Sequence, residues 1–370
     1  MDINKFINTI IEGDTIKNLK RLPDESIDFI FADPPYYMQT EGELLRVDGT
    51  KFKGVEDKWD KFKDFKDYDD FTKKWLKECK RVLKKDATIA VIGSFQNIYR
   101  VGNIMQDLGY WILNDIIWKK TNPVPNFSGK RFCNSHETIL WCSKNKKSKI
   151  TFNYKTMKYL NNEKQEKSIW EISLCTGNER LKDKNGNKLH SSQKPEKLLY
   201  KLLISATKPK DIILDPFFGT GTTGAVAKEI GRNYIGIEKE KVYVEAAEKR
   251  IASKNYQRSL ITELTLEEKP PKVPVKKLLE KGYLQKNQEL YNSLGEKKGI
   301  VLEDGNIFDG IETLSIHKMS AKLLNKTNNN GWDYFYIIEK GNLISLNDLR
   351  YRYDKEGDYV YSKMGTKSYF

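Results

Sequence analysis

Two apolar runs that each end in an acid constrain the fold of this chain more than any other feature. The segment IDFIFADPPYY (Ile27 to Tyr37) carries a strand-like run to an edge that bears Asp33, Pro34, Pro35 and Tyr36. The segment DIILDPFFGTGTTG (Asp211 to Gly224) carries a second run to Asp215 and a glycine-rich turn. Strands without polar alternation are covered on both faces, which requires a sheet sandwiched between helices. Further strand-like runs at Thr88 to Ile92, Trp111 to Trp118 and Tyr234 to Ile237 alternate with helical patterns. In one of those, Phe71, Trp75, Leu76, Cys79, Val82 and Leu83 share a face; another, GAVAKEIG, stops at Gly231. The predicted fold class is α/β, a doubly wound, mostly parallel sheet.

At 370 residues the chain exceeds the ~100–200 of one ordinary domain. The expected division is a large domain over 1–262, a linker over 263–276 punctuated by Pro270, Pro271 and Pro274, and a small domain over 277–370. Within the large domain the alternation lapses, and 119–190 reads as a basic insertion. Between Lys119 and Lys194 stand 17 Lys or Arg against 6 Asp or Glu, most of the chain's net +14. Phe127, Phe132, Tyr154 and Tyr159 interleave with them, as on a surface that meets phosphates and bases. In the last domain, TNNNGWDYFY (Thr327 to Tyr336) supplies rings better suited to a small core than to base stacking. The connection from Thr40 to Asp70, with Gly42, Gly49 and Gly54, reads as a lid over the first motif.

The first residues lack a basic stretch followed by an apolar core, and no run approaches the ~18 apolar residues of a membrane helix. A cytoplasmic protein is expected. Cys79, Cys133, Cys142 and Cys175 have no CxxC spacing and the chain holds only three His, so no metal cluster is expected.

Ligands of open α/β sheets bind beyond the carboxyl ends of strands, where both acid-tipped runs end. Gly219 and Gly221 let backbone approach a ligand closely, and Thr222 opens a helix whose N–H groups favour an anion. Glu238, at the end of the next strand, suits ribose hydroxyls, which leaves nicotinamide and other nucleoside cofactors open. The first motif offers no hydride partner but suits an amine. A base amino nitrogen is a poor nucleophile because its lone pair is delocalised into the ring. Two acceptors, the Asp33 carboxylate and the Pro34 carbonyl, localise that pair, with Tyr36 stacking on the base. Such a pocket cannot reach into a duplex, so the base must flip out.

DPPY (Asp33 to Tyr36) together with DPFFGTGTTG resembles the amino-methylating DNA methyltransferases that use S-adenosylmethionine. The order, catalytic motif first, basic region next and cofactor motif last, resembles their β group. GSFQNIYR, NPVPNFSGKRFCNSHETILWCSK and ETLSIHKMSAKLLNKTNNNGWDYFY further resemble the HinfI and CcrM type, which methylates adenine in GANTC. The resemblance implies a Rossmann-like methyltransferase sheet with 119–190 as target-recognition insertion and a C-terminal domain for DNA binding and dimerisation. It implies amine binding by Asp33, Pro34, Pro35 and Tyr36, and cofactor binding by Asp215, Phe217, Gly219, Gly221, Thr222 and Glu238. Asp14 would lie near the cofactor adenine, and Ser192, Gln193 and Lys194 near its methionyl end. Arg131, Asn134 and His136 are candidate DNA contacts.

The expected activity is therefore adenine-N6 methylation of double-stranded DNA with S-adenosylmethionine and no metal, by a homodimer in the bacterial cytoplasm, near the nucleoid. A restriction endonuclease acting on the same site is a candidate partner. An N4-cytosine enzyme shares the amine geometry, and a DNA-binding subunit without activity is the alternative from another class. Cytosine-C5 chemistry is disfavoured because no cysteine follows a proline.

Overall fold

The computed structural model describes residues 2–37, 44–45, 51–52, 60–126, 129–268 and 271–354. They fall into two compact units, one up to Leu264 and one from Thr265 onward. Phe127 and most of the lid-like connection after Tyr37 lie outside the described residues.

The first unit runs β1 (Thr9–Glu12), α1 (Thr15–Leu19), β2 (Ile27–Ala32), a short hairpin of β3 (Leu44–Leu45) and β4 (Lys51–Phe52), α2 (Phe65–Val82), β5 (Leu83–Gly93), α3 (Ile98–Asp107) and β6 (Trp111–Lys120). It continues through β7 (His136–Ser143), α4 (Tyr154–Leu160), β8 (Ile169–Ile172), α5 (Glu196–Ala206), β9 (Ile212–Asp215), α6 (Thr222–Glu229), β10 (Asn233–Glu238) and α7 (Lys241–Ala252). Eight of these strands form one sheet in the order β1-β10-β9-β2-β5-β7-β6-β8. Only β7 runs antiparallel to its neighbours, β5 and β6; the other pairings are parallel.

The apolar run of β2 explains its central place. Phe29 and Phe31 enter the core on one face with α5 and α6, while Ile30 and Ala32 enter the other with α2 and α3. Successive side chains of a strand point to opposite faces, so a strand covered on both sides is apolar along its covered length; its one acid, Asp28, sits near the start and pairs with Lys84. On α2 the side chains of Trp75, Leu76, Cys79 and Val82 are fully buried, and Asp64 caps the helix by accepting the Asp67 N–H.

The basic region between Lys119 and Lys194 is not a pure insertion. It holds β7, an inner strand of the sheet, and β8 at the sheet edge. HETILWCS becomes apolar only after its third residue, and the surrounding lysines mask the run. Of the aromatic residues expected on a binding surface, Phe132 is 98% exposed and Tyr154 is exposed, whereas Tyr159 packs against the core.

The second unit has a six-stranded antiparallel sheet, β14-β13-β12-β11-β15-β16. Its strands are β11 (Glu289–Tyr291), β12 (Lys297–Val301), β13 (Ile307–Phe308), β14 (Thr313–Leu314), β15 (Tyr336–Glu339) and β16 (Asn342–Ser345). Its helices are α8 (Val275–Glu280), α9 (Ile316–Leu323), α10 (Gly331–Tyr334) and α11 (Leu346–Asp354). Trp332 and Phe335 of the TNNNGWDYFY segment are core residues here. The stretch after Leu264 is held within this unit, because Arg350 donates to the Pro271 carbonyl and Tyr351 to that of Glu268. Prolines exclude ladder pairing but leave their carbonyls free to accept, so this segment packs where its composition suggests a connector. Among the described residues, no helix is long and apolar enough to cross a membrane.

Gly236 on β10 faces the ring of Phe218, and a Cβ there would lie 2.5 Å from it. Gly236→Ala is expected to destabilise the first unit by about 1–3 kcal/mol through overpacking, measured as a shift in the urea midpoint. An unchanged midpoint would refute this packing account.

Candidate active site

The pairing of β2 with β9 brings the two acid-tipped motifs side by side, with Ile30 opposite Leu214. Both strands deliver their next residues to one cavity of about 1030 Å³. All four residues of DPPY line it, as do Asp14, Ser192, Gln193, Lys194, Asp215, Phe217, Gly219, Thr222 and Glu238. Of the candidate DNA contacts, only Asn134 is among the cavity-lining residues. His136 is exposed, and the Arg131 guanidinium lies 5.7 Å from the ring centre of half-exposed Phe95.

The corner around Asp33 is an ion-paired cluster. Asp33 Oδ2 accepts from Lys194 Nζ at 2.7 Å, and the Tyr36 hydroxyl lies 2.9 Å from Asp33 Oδ1 and 3.1 Å from Glu137 Oε2. Glu137 is also paired with Lys120, at 2.8 Å on Oε1, and lies 3.7 Å from Lys194. Burial raises the Asp33 pKa, an effect Lys194 opposes. Burial disfavours the charge of Lys194, but Asp33 and Glu137 outweigh it and hold its pKa above the usual value. Burial likewise opposes ionisation of Glu137, yet Lys194 and Lys120 keep its pKa low. The loop itself is braced from behind. Tyr68 donates to the Pro35 carbonyl, and Asn97 donates to Tyr68. Tyr37 then turns the chain with a left-handed φ of 50°, its N–H held by Asp60 at 2.7 Å.

The second half of the cavity is built by the glycine turn. Gly219 and Gly221 have φ of 50° and 76°, and a Cβ on Gly221 would meet Ala247 at 2.6 Å. Only glycine takes both the conformation and the close approach. Glu238 Oε2 accepts the Gly219 N–H at 2.7 Å, and its Oε1 accepts those of Lys239 and Glu240. Asp14 caps α1 through Lys17 N–H at 2.9 Å. Phe217 meets Trp75 edge to face at 5.3 Å. Asp215 accepts from the Phe217 N–H and, at 2.6 Å, from the Thr223 hydroxyl.

Lys194 spans the two halves. Its side chain holds Asp33, while its backbone carbonyl accepts from the Thr222 hydroxyl at 3.2 Å. Its neighbour Gln193 is engaged elsewhere: the amide donates to the Glu179 carbonyl and the Cys175 sulfur and accepts from the Leu181 N–H. Ser192 donates its N–H to His190 Nδ1 at 3.2 Å.

Sequence reasoning missed Glu137, Lys120 and His190, all of which line the cavity. An acid near the start of an otherwise apolar strand was the available signal for Glu137. A Cβ on Gly219 would sit 3.3 Å from His190 Nε2, a proximity with no sequence signature.

Burial raises Asp215 to about 7, against the opposing bonds from Thr223 and Phe217. Its folded value therefore exceeds the unfolded one of about 3.9, so the native state holds the extra proton between these values and loses stability as pH rises through them. Removing the acid removes that loss. From pH 4 to 7 the ligand-free Asp215→Asn variant should gain on wild type by up to about 4 kcal/mol in urea unfolding. A gap independent of pH would contradict the assignment.

The model of a DNA methylase family that covers N6 and N4 methylases matches residues 27–249. A second family, described as Restriction Enzyme Adenine Methylase Associated, matches residues 262–358. The chain is 63% identical to the Type II methyltransferase M.HinfI of Haemophilus influenzae over 96% of its own length and 99% of that protein. It is 44% identical to the Type II methyltransferase M2.DpnII of Streptococcus pneumoniae over 68% of this chain and 91% of the relative. Among solved structures, the PvuII DNA methyltransferase (cytosine-N4-specific) has the same fold, with a TM-score of 0.52 and 22% identity over 69% of this chain and 90% of that one. The chain belongs to the DNA methylases, enzymes that move a methyl group from S-adenosylmethionine to DNA.

Proposed function

We propose that the enzyme methylates N6 of a flipped-out adenine in duplex DNA, within GANTC, with Asp33 and Pro34 receiving the amine. The observation that carries this reading is the adjacency of β2 and β9, which opens the carboxylate of Asp33 and the glycine turn onto one cavity. The left-handed glycines and the acids Asp14, which caps α1, and Glu238, at the end of β10, suit a nucleoside cofactor, and a cavity of about 1030 Å³ exceeds the needs of one base. S-adenosylmethionine supplies a methyl group activated by its sulfonium. Asp215, Phe217, Gly219, Gly221, Thr222 and Glu238 form its cradle, with Asp14 toward the adenosine and Ser192 to Lys194 toward the amine corner.

Accepting both N–H bonds of the amine, at the Asp33 carboxylate and the Pro34 carbonyl, draws the nitrogen lone pair out of the ring. Proline fixes the direction of that carbonyl because its φ is locked. Lys194 opposes the effect of burial on Asp33 and so favours the ionised carboxylate, the form that can accept the amine. The family of the 262–358 match favours adenine over cytosine, and the 63% likeness to M.HinfI supports GANTC. Lys119 to Arg180, with Arg131, Asn134 and His136, and the C-terminal domain at 277–370 are our candidates for DNA contact. A palindromic site accords with a two-fold dimer on the DNA, and a Type II relative accords with a restriction endonuclease acting on the same site. Work on genomic DNA puts the enzyme in the bacterial cytoplasm beside the nucleoid.

Asp33→Ala is expected to abolish methylation while cofactor and DNA binding stay within a few-fold of wild type. Transfer of labelled methyl to duplex DNA at the wild-type rate would sink the role of Asp33. Methylation-sensitive sequencing of DNA treated with the enzyme should find modified adenine at GANTC; modification elsewhere would refute the site but leave the chemistry.

A further inference from the structure

Glu137 takes no part in the chemistry argued so far, yet it is buried beside the amine corner and touches Tyr36 from a strand remote in sequence. Tyr36 has one phenolic proton and two carboxylate neighbours, Asp33 Oδ1 at 2.9 Å and Glu137 Oε2 at 3.1 Å. A hydroxyl donates once, so the two acids compete for that proton. The outcome matters for Asp33. A hydrogen bond donated to a carboxylate stabilises its charge and makes it a weaker acceptor for anything else.

Resting on the reading of Asp33 as the amine acceptor, we infer that Glu137 is a positioning residue that takes the Tyr36 proton, held toward the nearer Asp33 before the base enters, and so frees Asp33 to accept the target amine. Lys120 completes the arrangement. It holds Glu137 Oε1 at 2.8 Å, which turns Oε2 toward Tyr36. With the amine bound, Tyr36 donates to Glu137 and no longer occupies Asp33 Oδ1, and the like charges of Asp33 and Glu137 are offset by Lys194 and Lys120.

Among the described residues, the charged and titratable groups that face this corner are few. Asp33 meets Lys194, Glu137 and Tyr36, and lies within electrostatic reach of Asp215. Glu137 meets Lys194, Lys120 and Tyr36. Lys194 is also opposed by Arg180 and lies near His190.

Glu137→Gln separates this role from simple packing because the amide is isosteric but directional. Lys120, a donor only and at 2.8 Å closer than Lys194 at 3.7 Å, selects the amide oxygen. The NH2 group then faces Tyr36 and donates to it, so the phenolic proton is forced onto Asp33. Single-turnover methylation should fall about tenfold or more, with cofactor affinity unchanged. The acid limb of the pH-rate profile should move to lower pH, since Asp33 loses a neighbouring negative charge and gains a donor. In a Tyr36→Phe background, Glu137→Gln should cost nothing further, because no phenolic proton remains to misdirect.

A wild-type rate, an unmoved acid limb or losses that multiply across the two variants would each overturn the inference. Should thermal melting show Glu137→Gln to be unfolded, Glu137→Asp withdraws the acceptor by one methylene and should give the same loss, again absent in the Tyr36→Phe background. These outcomes bear on Glu137 alone, whereas methylation surviving Asp33→Ala removes the amine-site reading itself.

Discussion

The parallel pairing of β2 with β9 is the constraint on which the site depends. Residues remote in sequence become neighbours there, through Phe29 opposite Ile213 and Ile30 opposite Leu214. Each strand is buried on both faces, so a slip of register would push core side chains into the wrong layer. The core therefore sets the spacing between Asp33 and the glycine turn.

Around that fixed pair, charge neutrality governs the cluster at Asp33. Two carboxylates out of water would each carry a desolvation cost of several kcal/mol unless matched. Lys194 and Lys120 match them one to one, and Tyr36 joins the two pairs through a single hydroxyl. A fully paired cluster is stiff, because each member's best position is defined by its neighbours. Stiffness suits the proposed task of holding an amine within a narrow cone.

Much of this was legible in the sequence, for identifiable reasons. Strands β2, β5, β6, β9 and β10 lie on apolar runs that announce themselves, and α2 shows its buried face at helical spacing. Strand β7 was missed because His136, Glu137 and Thr138 begin it among lysines, and local polarity outweighed the buried half that follows. The first motif gave Asp33 and Tyr36 as residues, but not what they touch. Tyr36 meets an acid 101 positions away, a contact that no spacing rule encodes. Gln193 shows the converse, a motif neighbour whose amide is taken up by Glu179, Cys175 and Leu181 rather than left to face a ligand.

The double engagement of Lys194 has a mechanical consequence. Its carbonyl is tied to Thr222, Thr222 is tied to Arg250, and Arg250 is anchored on Glu196. The ammonium that braces Asp33 thus hangs from the same frame as the first turn of α6. The glycine turn and the Asp33 cluster share one chassis, so the distance between them is held by the frame rather than set anew at each encounter.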